Sequence, residues 1–140
     1  MANLEPSAEV KASVLAFYDA LGGDNSALDR LVSSADQALV VGTDPAEWLV
    51  GHATITSIIK AQMADMGGGF QFEAGNVQAY REGGIGWAAD QPKLNMPDGS
   101  SVPMRLTGVF HNEDGGWKAV QLHLSIGVGN EEALGKELTT

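Results

Sequence analysis

Three histidines, one pair of carboxylates and one arginine are the residues whose types and spacing could do chemistry in this chain. His52, His111 and His123 share no H-x-x-x-H or H-E-x-x-H spacing and the chain has no cysteine. A zinc site would therefore need scattered ligands, and no metal is expected. His52 stands at the start of a predicted helix, where the dipole disfavours a protonated ring. It reads either as a polar helix-start residue or as a general base at a pocket rim. Asp44 and Glu47 lie three residues apart and could act as an acid/base pair, although the turn chemistry of Asp44-Pro45 explains Asp44 equally well. Arg105 has the fork that grips a carboxylate through two bonds. Gly67-Gly68-Gly69 lacks the lysine and the following helix of a phosphate loop, so it is a turn. No constellation here assigns a catalytic residue, and whether the protein is an enzyme stays open at this level.

Composition narrows the classes further. The 140 residues suit a single domain, read here as 1–140 with a core of about 7–127 and a tail over 128–140. Eight Lys and Arg against eighteen Asp and Glu leave a net charge of −10, which argues against nucleic acid and anionic membrane as partners. A hydrophobic content of 44% with 19% charged residues describes a folded globule. No apolar run approaches the ~18 residues of a membrane span, and the first residues lack the pattern of a signal peptide. A soluble, cytoplasmic protein is expected.

The elements that must position these residues follow from periodicity. Val10, Val14, Phe17, Tyr18 and Leu21 recur at helical spacing over Ser7–Leu21, ended by Gly22-Gly23. A shorter helix carries Leu28, Leu31 and Val32, and Ala38–Thr43 reads as a strand broken by Asp44-Pro45. A third helix, Ala53–Met66, places Ile55, Ile58, Ile59, Met63 and Met66 on one stripe. The period then changes from 3.6 to 2. Four antiparallel strands follow, roughly Phe70–Glu82, Ile85–Asn95, Val102–Asn112 and Trp117–Ile126, joined by glycine and proline turns. In the third, Met104, Leu106, Gly108 and Phe110 share a face opposite Arg105 and Thr107. In the fourth, Val120, Leu122, Leu124 and Ile126 oppose Trp117, Ala119, Gln121 and His123. The aliphatic faces belong under the helices. The mixed face of Arg105, Thr107, Trp117, Gln121 and His123 suits a subunit interface. Trp87 is undecided, since Ile85/Trp87/Ala89 and Gly86/Ala88/Asp90 could each face inward. The pattern is α+β.

Helix–helix–strand–helix–four strands resembles the nuclear-transport-factor-2-like superfamily, which includes ketosteroid isomerases, scytalone dehydratase, SnoaL-like polyketide cyclases and a kinase association domain. Two stretches are similar to its SnoaL-like group. One is Gly42-Thr43-Asp44-Pro45-Ala46-Glu47-Trp48 with Gly51 opening the third helix. The other is Arg105-Leu106-Thr107, then Asp114-Gly115-Gly116-Trp117-Lys118, ending in His123-Leu124-Ser125. The resemblance implies a cone-shaped roll, with three N-terminal helices packed on a curved antiparallel sheet, an apolar pocket at the open end and a homodimer built through the sheet's outer face.

Ketosteroid isomerases pair a carboxylate base with a tyrosine and a protonated aspartate. Carried onto this chain, the tyrosine position falls on Ala16 and not on Tyr18, the base near Gly42, and the acid near Thr107 or Gly108. None matches, so that mechanism is not expected. The expectation is a pocket for a small apolar organic molecule of steroid, polyketide or fatty-acid type, lined by Tyr18, Trp48, His52, Ile55, Ile59, Met104, Leu122 and Leu124. It would work without a cofactor, as an acid/base isomerase, cyclase or hydratase, or else as a non-catalytic binding or assembly module.

Overall fold

The computed structural model describes residues 3–140. Helix α1 (Ala8–Leu21) begins where the Ser7 hydroxyl accepts the Val10 amide at 3.1 Å, and Glu9 adds negative charge to the first turn. Its stripe of Val10, Val14, Phe17, Tyr18 and Leu21 is buried throughout. A 3-10 turn (Asn25–Ala27) leads into the short α2 (Leu28–Leu31). Helix α3 (His52–Asp65) starts at Gly51, whose φ of +90° favours glycine. It buries Ile55, Thr56, Ile59 and Met63, while Ile58, expected on the same stripe, is 38% exposed.

The strands are β1 (Glu5–Pro6), β2 (Leu39–Val41), β3 (Trp48–Val50), β4 (Gln71–Glu73), β5 (Gln78–Glu82), β6 (Ile85–Asp90), β7 (Lys93–Asn95), β8 (Ser101–Pro103), β9 (Arg105–Glu113) and β10 (Gly116–Ser125). Among the described residues, seven form one sheet in the order β1-β5-β6-β9-β10-β2-β3, and β4-β7-β8 form a smaller one. All neighbouring pairs are antiparallel except β2 and β10. The sheet curves around α1 and α3, giving the α+β cone. A short helix, α4 (Asn130–Leu134), lies in the tail.

Two differences from the sequence reading matter for the site. The first three long strands each break in two, the third at Met104 between β8 and β9, and the breaks in the first two lie side by side. Pro92 brings no amide donor to a ladder. At Gly75, an added Cβ would stand 2.6 Å from the Gln91 carbonyl oxygen, so only glycine allows the two breaks to meet. The chain beyond them swings into the small sheet, which becomes a separate wall of the cone.

The second difference is in β10. The pairing with β9 shifts between Ala119 and Gln121, a bulge that inserts Val120 as an extra residue and reverses the alternation before it. Trp117 and Ala119 therefore share the inner face with Leu122 and Leu124. Trp117 is buried at 6% exposure, and its indole N–H donates to Glu9 at 3.0 Å. The assignment of Trp117 to an outer interface is corrected accordingly. On β6 the small residues Gly86 and Ala88 face inward together with Asp90, and Trp87 faces out, stacked on Tyr80 at 6.2 Å between ring centroids. Gly86 is where α1 presses on the sheet: a Cβ there would meet Val10 at 2.6 Å.

Candidate functional site

Between the helices and the inner face of the sheet lies a cavity of about 150 Å³. Helix α1 contributes Phe17, Tyr18 and Leu21, and α3 contributes Ile59 and Gln62. The main sheet adds Leu106, Leu122 and Leu124, with Met104 just before β9. The small sheet closes one side with Phe72 and Leu94, next to Phe70. The β2–β3 hairpin brings Gly42, Thr43 and Glu47 between the apolar Val40 and Leu49. Tyr18, Ile59, Met104, Leu106 and Leu122 are buried and make the inner part. Thr43 is exposed and Glu47 half-buried, so the polar groups lie toward the mouth.

Glu47 owes its position to the turn. Asp44 accepts the Ala46 amide at 2.8 Å through its own Oδ1, a local turn that folds the chain back. Glu47 Oε1 then accepts the Asp44 amide at 2.8 Å and the Thr43 hydroxyl at 3.5 Å, and Oε2 accepts the Gln62 side-chain amide from α3. All these partners are donors, which suits a charged carboxylate. The side chain lies directly on Gly42, where any Cβ would stand 2.6 Å from Glu47 Oε1. Of the expected Asp44/Glu47 pair, Glu47 reaches the cavity and Asp44 is a turn residue.

A second polar feature lies deeper. The Tyr18 hydroxyl donates to Asp90 Oδ2 at 2.8 Å, and the Gly75 amide donates to the same oxygen at 3.2 Å. Asp90 is buried, and among the described residues its Oδ1 has no hydrogen-bond partner. Burial, then the hydrogen bond and the charge of Asp90, push the Tyr18 phenol well above its ordinary value of 10.0, so it stays protonated and donating. The ring also stacks on Phe72 at 5.6 Å. Asp90 ends β6, and its partner lies 72 residues away. The inward alternation Gly86/Ala88/Asp90 was the one available signal for it.

Of the expected pocket residues, Tyr18, Ile59, Met104, Leu122 and Leu124 come together around the cavity. Three do not. Trp48 is 64% exposed, because β3 is an edge strand that turns it outward while its neighbour Glu47 faces in. The His52 ring bonds the Asp29 carbonyl through Nε2 at 2.9 Å, which joins α3 to α2 and makes it a helix-start residue. Ile55 is fully buried in the core away from the cavity. On the outer sheet face, Arg105, Thr107, Gln121 and His123 are all exposed, as the alternation predicts. Among the described residues, no group of three or more His, Asp or Glu side chains is placed to hold a metal, and no helix is long and apolar enough to cross a membrane.

Residues 10–129 match the sequence profile of the SnoaL-like domain. The chain belongs to the SnoaL-like domain family. Solved structures agree on the fold. The SnoaL-like chain superposes on a protein of unknown function from Pseudomonas putida, described as NTF2-like, with a TM-score of 0.77 and 19% identity over 93% of this chain and 91% of that one. A proposed dehydratase of the NTF2-like family from Streptomyces avermitilis matches with a TM-score of 0.71 and 22% identity, covering 86% and 95% of the two chains. A proposed calcium/calmodulin-dependent protein kinase type II association domain from Thiobacillus denitrificans gives 0.71 and 20%, covering 91% and 100%. At these identities the likeness is one of fold. No curated protein sequence matches this SnoaL-like domain.

Proposed function

We propose that this SnoaL-like domain binds a small, largely apolar organic molecule in the cavity between its helices and its sheet. The observation that carries the reading is the cavity itself: about 150 Å³ of space inside a wall of aliphatic and aromatic side chains, with one carboxylate toward its mouth. An apolar cavity of roughly this volume takes a benzene-sized guest. A single ring or a short chain fills it, and a steroid would extend beyond the mouth. Burying about 200 Å² of such a ligand at ~25 cal/mol per Å² contributes about 5 kcal/mol before the cost of association is subtracted. Methyl-labelled NMR during titration with benzyl alcohol tests this. The Ile59, Met104, Leu122 and Leu124 methyls should shift, and the Ile55 methyl, which lies outside the cavity, should not. Unmoved cavity methyls at 10 mM ligand would end the reading.

Glu47 supports a second reading. A carboxylate held by three donors beside an apolar chamber has the makings of a general base, with Tyr18 as a neutral phenol deeper in the same wall. Proton abstraction from a bound carbon acid, as in an isomerase or a dehydratase, would use these two groups without a cofactor. Solvent deuterium appearing in a bound ketone, lost in Glu47→Gln, would favour it over simple binding. For assembly, we infer a homodimer through the outer face that carries Arg105, Thr107, Gln121 and His123.

A further inference from the structure

We propose that the occupant of the cavity is a small organic ammonium: a single-ring or short-chain primary amine in its protonated form, tail inward, with its charge at Glu47. This rests on the binding reading above and names its ligand class.

Three observations point the same way. First, among the described residues Glu47 is the one charged side chain in the cavity wall, which includes no Lys, Arg or His. The cation on the adjacent helix, Lys60, is committed elsewhere: it bonds both oxygens of Asp29 at 3.0 and 3.1 Å. Second, the Glu47 carboxylate is held but not neutralised. Its partners are an amide, a hydroxyl and a carboxamide, none of which carries charge, and a carboxylate has about four lone-pair sites to offer. A ligand ammonium supplies the missing countercharge through charge-assisted hydrogen bonds. Third, Tyr18, Phe72 and Phe70 follow one another as an aromatic cluster on the cavity wall, with the Phe72 centroid 5.6 Å from that of Tyr18 and 6.2 Å from that of Phe70. Phe70 and Phe72 are half-buried and so belong to the outer part of the wall, where a ring face attracts an ammonium.

The arrangement also excludes the opposite charge. A carboxylate or phosphate ligand would face Glu47 across a partly dry chamber, where like charges repel far more strongly than in water. The chain's net charge of −10 adds to that barrier and draws cations toward the mouth. Polar groups near the mouth and aliphatic groups within fix the orientation: head out, tail in.

Three ring compounds of matched size separate the classes: benzylammonium, benzyl alcohol and benzoate, titrated at neutral pH by calorimetry and methyl NMR. Benzylammonium should bind about tenfold more tightly than benzyl alcohol, and benzoate should not bind measurably. Glu47→Gln should bring the ammonium to within twofold of the alcohol. Phe70→Leu, which touches none of the hydrogen bonds of the 42–47 turn, should weaken the ammonium about threefold more than the alcohol. It serves if Glu47→Gln does not fold. If the alcohol or benzoate binds wild type as tightly as the ammonium, the ammonium proposal falls and the cavity reading stands. If none of the three moves the cavity methyls, the cavity reading falls and takes the proposal with it.

Discussion

Tyr18 and Asp90 are the pair of side chains on which the cavity's deep wall depends. Asp90 has one oxygen without a partner among the described residues and receives the phenol and the Gly75 amide on the other. Removing the phenol leaves a buried carboxylate with one donor fewer. Tyr18→Phe should therefore lower stability by about 1–3 kcal/mol, the usual cost of stranding a buried polar group, measured by urea unfolding at pH 7. The alkaline side gives an independent check. A phenol whose folded value lies above its unfolded value stabilises the fold fully below about pH 10, and this contribution is lost as the pH rises beyond. Wild type should lose stability above pH 10, and Tyr18→Phe should lose less. Equal alkaline slopes for the two would show that Tyr18 ionises freely and that the buried pair is not formed.

At the scale of elements, one contact ties the α2–β2 connection to the end of β9. Glu113 accepts from the Ser33 hydroxyl at 3.1 Å and the Ser34 amide at 3.4 Å, and lies 2.9 Å from the His111 ring. Burial works against its charge, but the His111 ring, the Ser33 hydroxyl and the Ser34 amide outweigh it and hold the carboxyl below its ordinary 4.5. A depressed carboxyl contributes stability above the unfolded value, and that contribution is lost as the pH falls through the folded one. Glu113→Gln should thus melt at a lower temperature than wild type at pH 7, with the difference shrinking below about pH 4. A gap that stays constant from pH 7 to pH 3 would mean that packing, not charge, explains the loss. The β10 bulge belongs to this scale as well, since the extra residue Val120 decides which face Trp117 joins.

For the whole molecule, the outer face of the seven-stranded sheet is left uncovered among the described residues. It presents Arg105, Thr107, Gln121 and His123 beside the stacked pair Tyr80 and Trp87 and the half-buried Val109. A homodimer through this face would bury at least the ~1,000 Å² of a specific interface. Light scattering at micromolar concentration should give twice the chain mass. Arg105→Glu, which adds acid to a protein already at −10, should shift the equilibrium toward monomer and more so at low salt. A wild-type monomer under those conditions would exclude the dimer. The cavity lining includes none of these outer-face residues, so the proposed dimer and the proposed ligand binding can be tested separately in the same sample.

What the sequence alone determined is what periodicity and local turn chemistry encode. Helical spacing located α1 and α3, since an apolar stripe at 3.6 residues has one stable way to pack. Two-residue alternation located β9 with both faces right, and the turns at Asp44-Pro45 and at the glycine pairs were legible from backbone freedom alone. The resemblance carried by Gly42–Trp48 and Arg105–Ser125 led to the family and to the cone. Tertiary structure decided everything that depends on a single-residue shift or a distant partner. The Val120 bulge moved Trp117 from the outer face to the core, because alternation has no memory across an inserted residue. The three-residue strand β3 was too short to show a pattern, yet it decides that Glu47 faces the cavity and Trp48 faces solvent. Asp90 meets Tyr18 only because the sheet curves and Gly75 permits close approach, and no local rule connects residues so far apart in the chain.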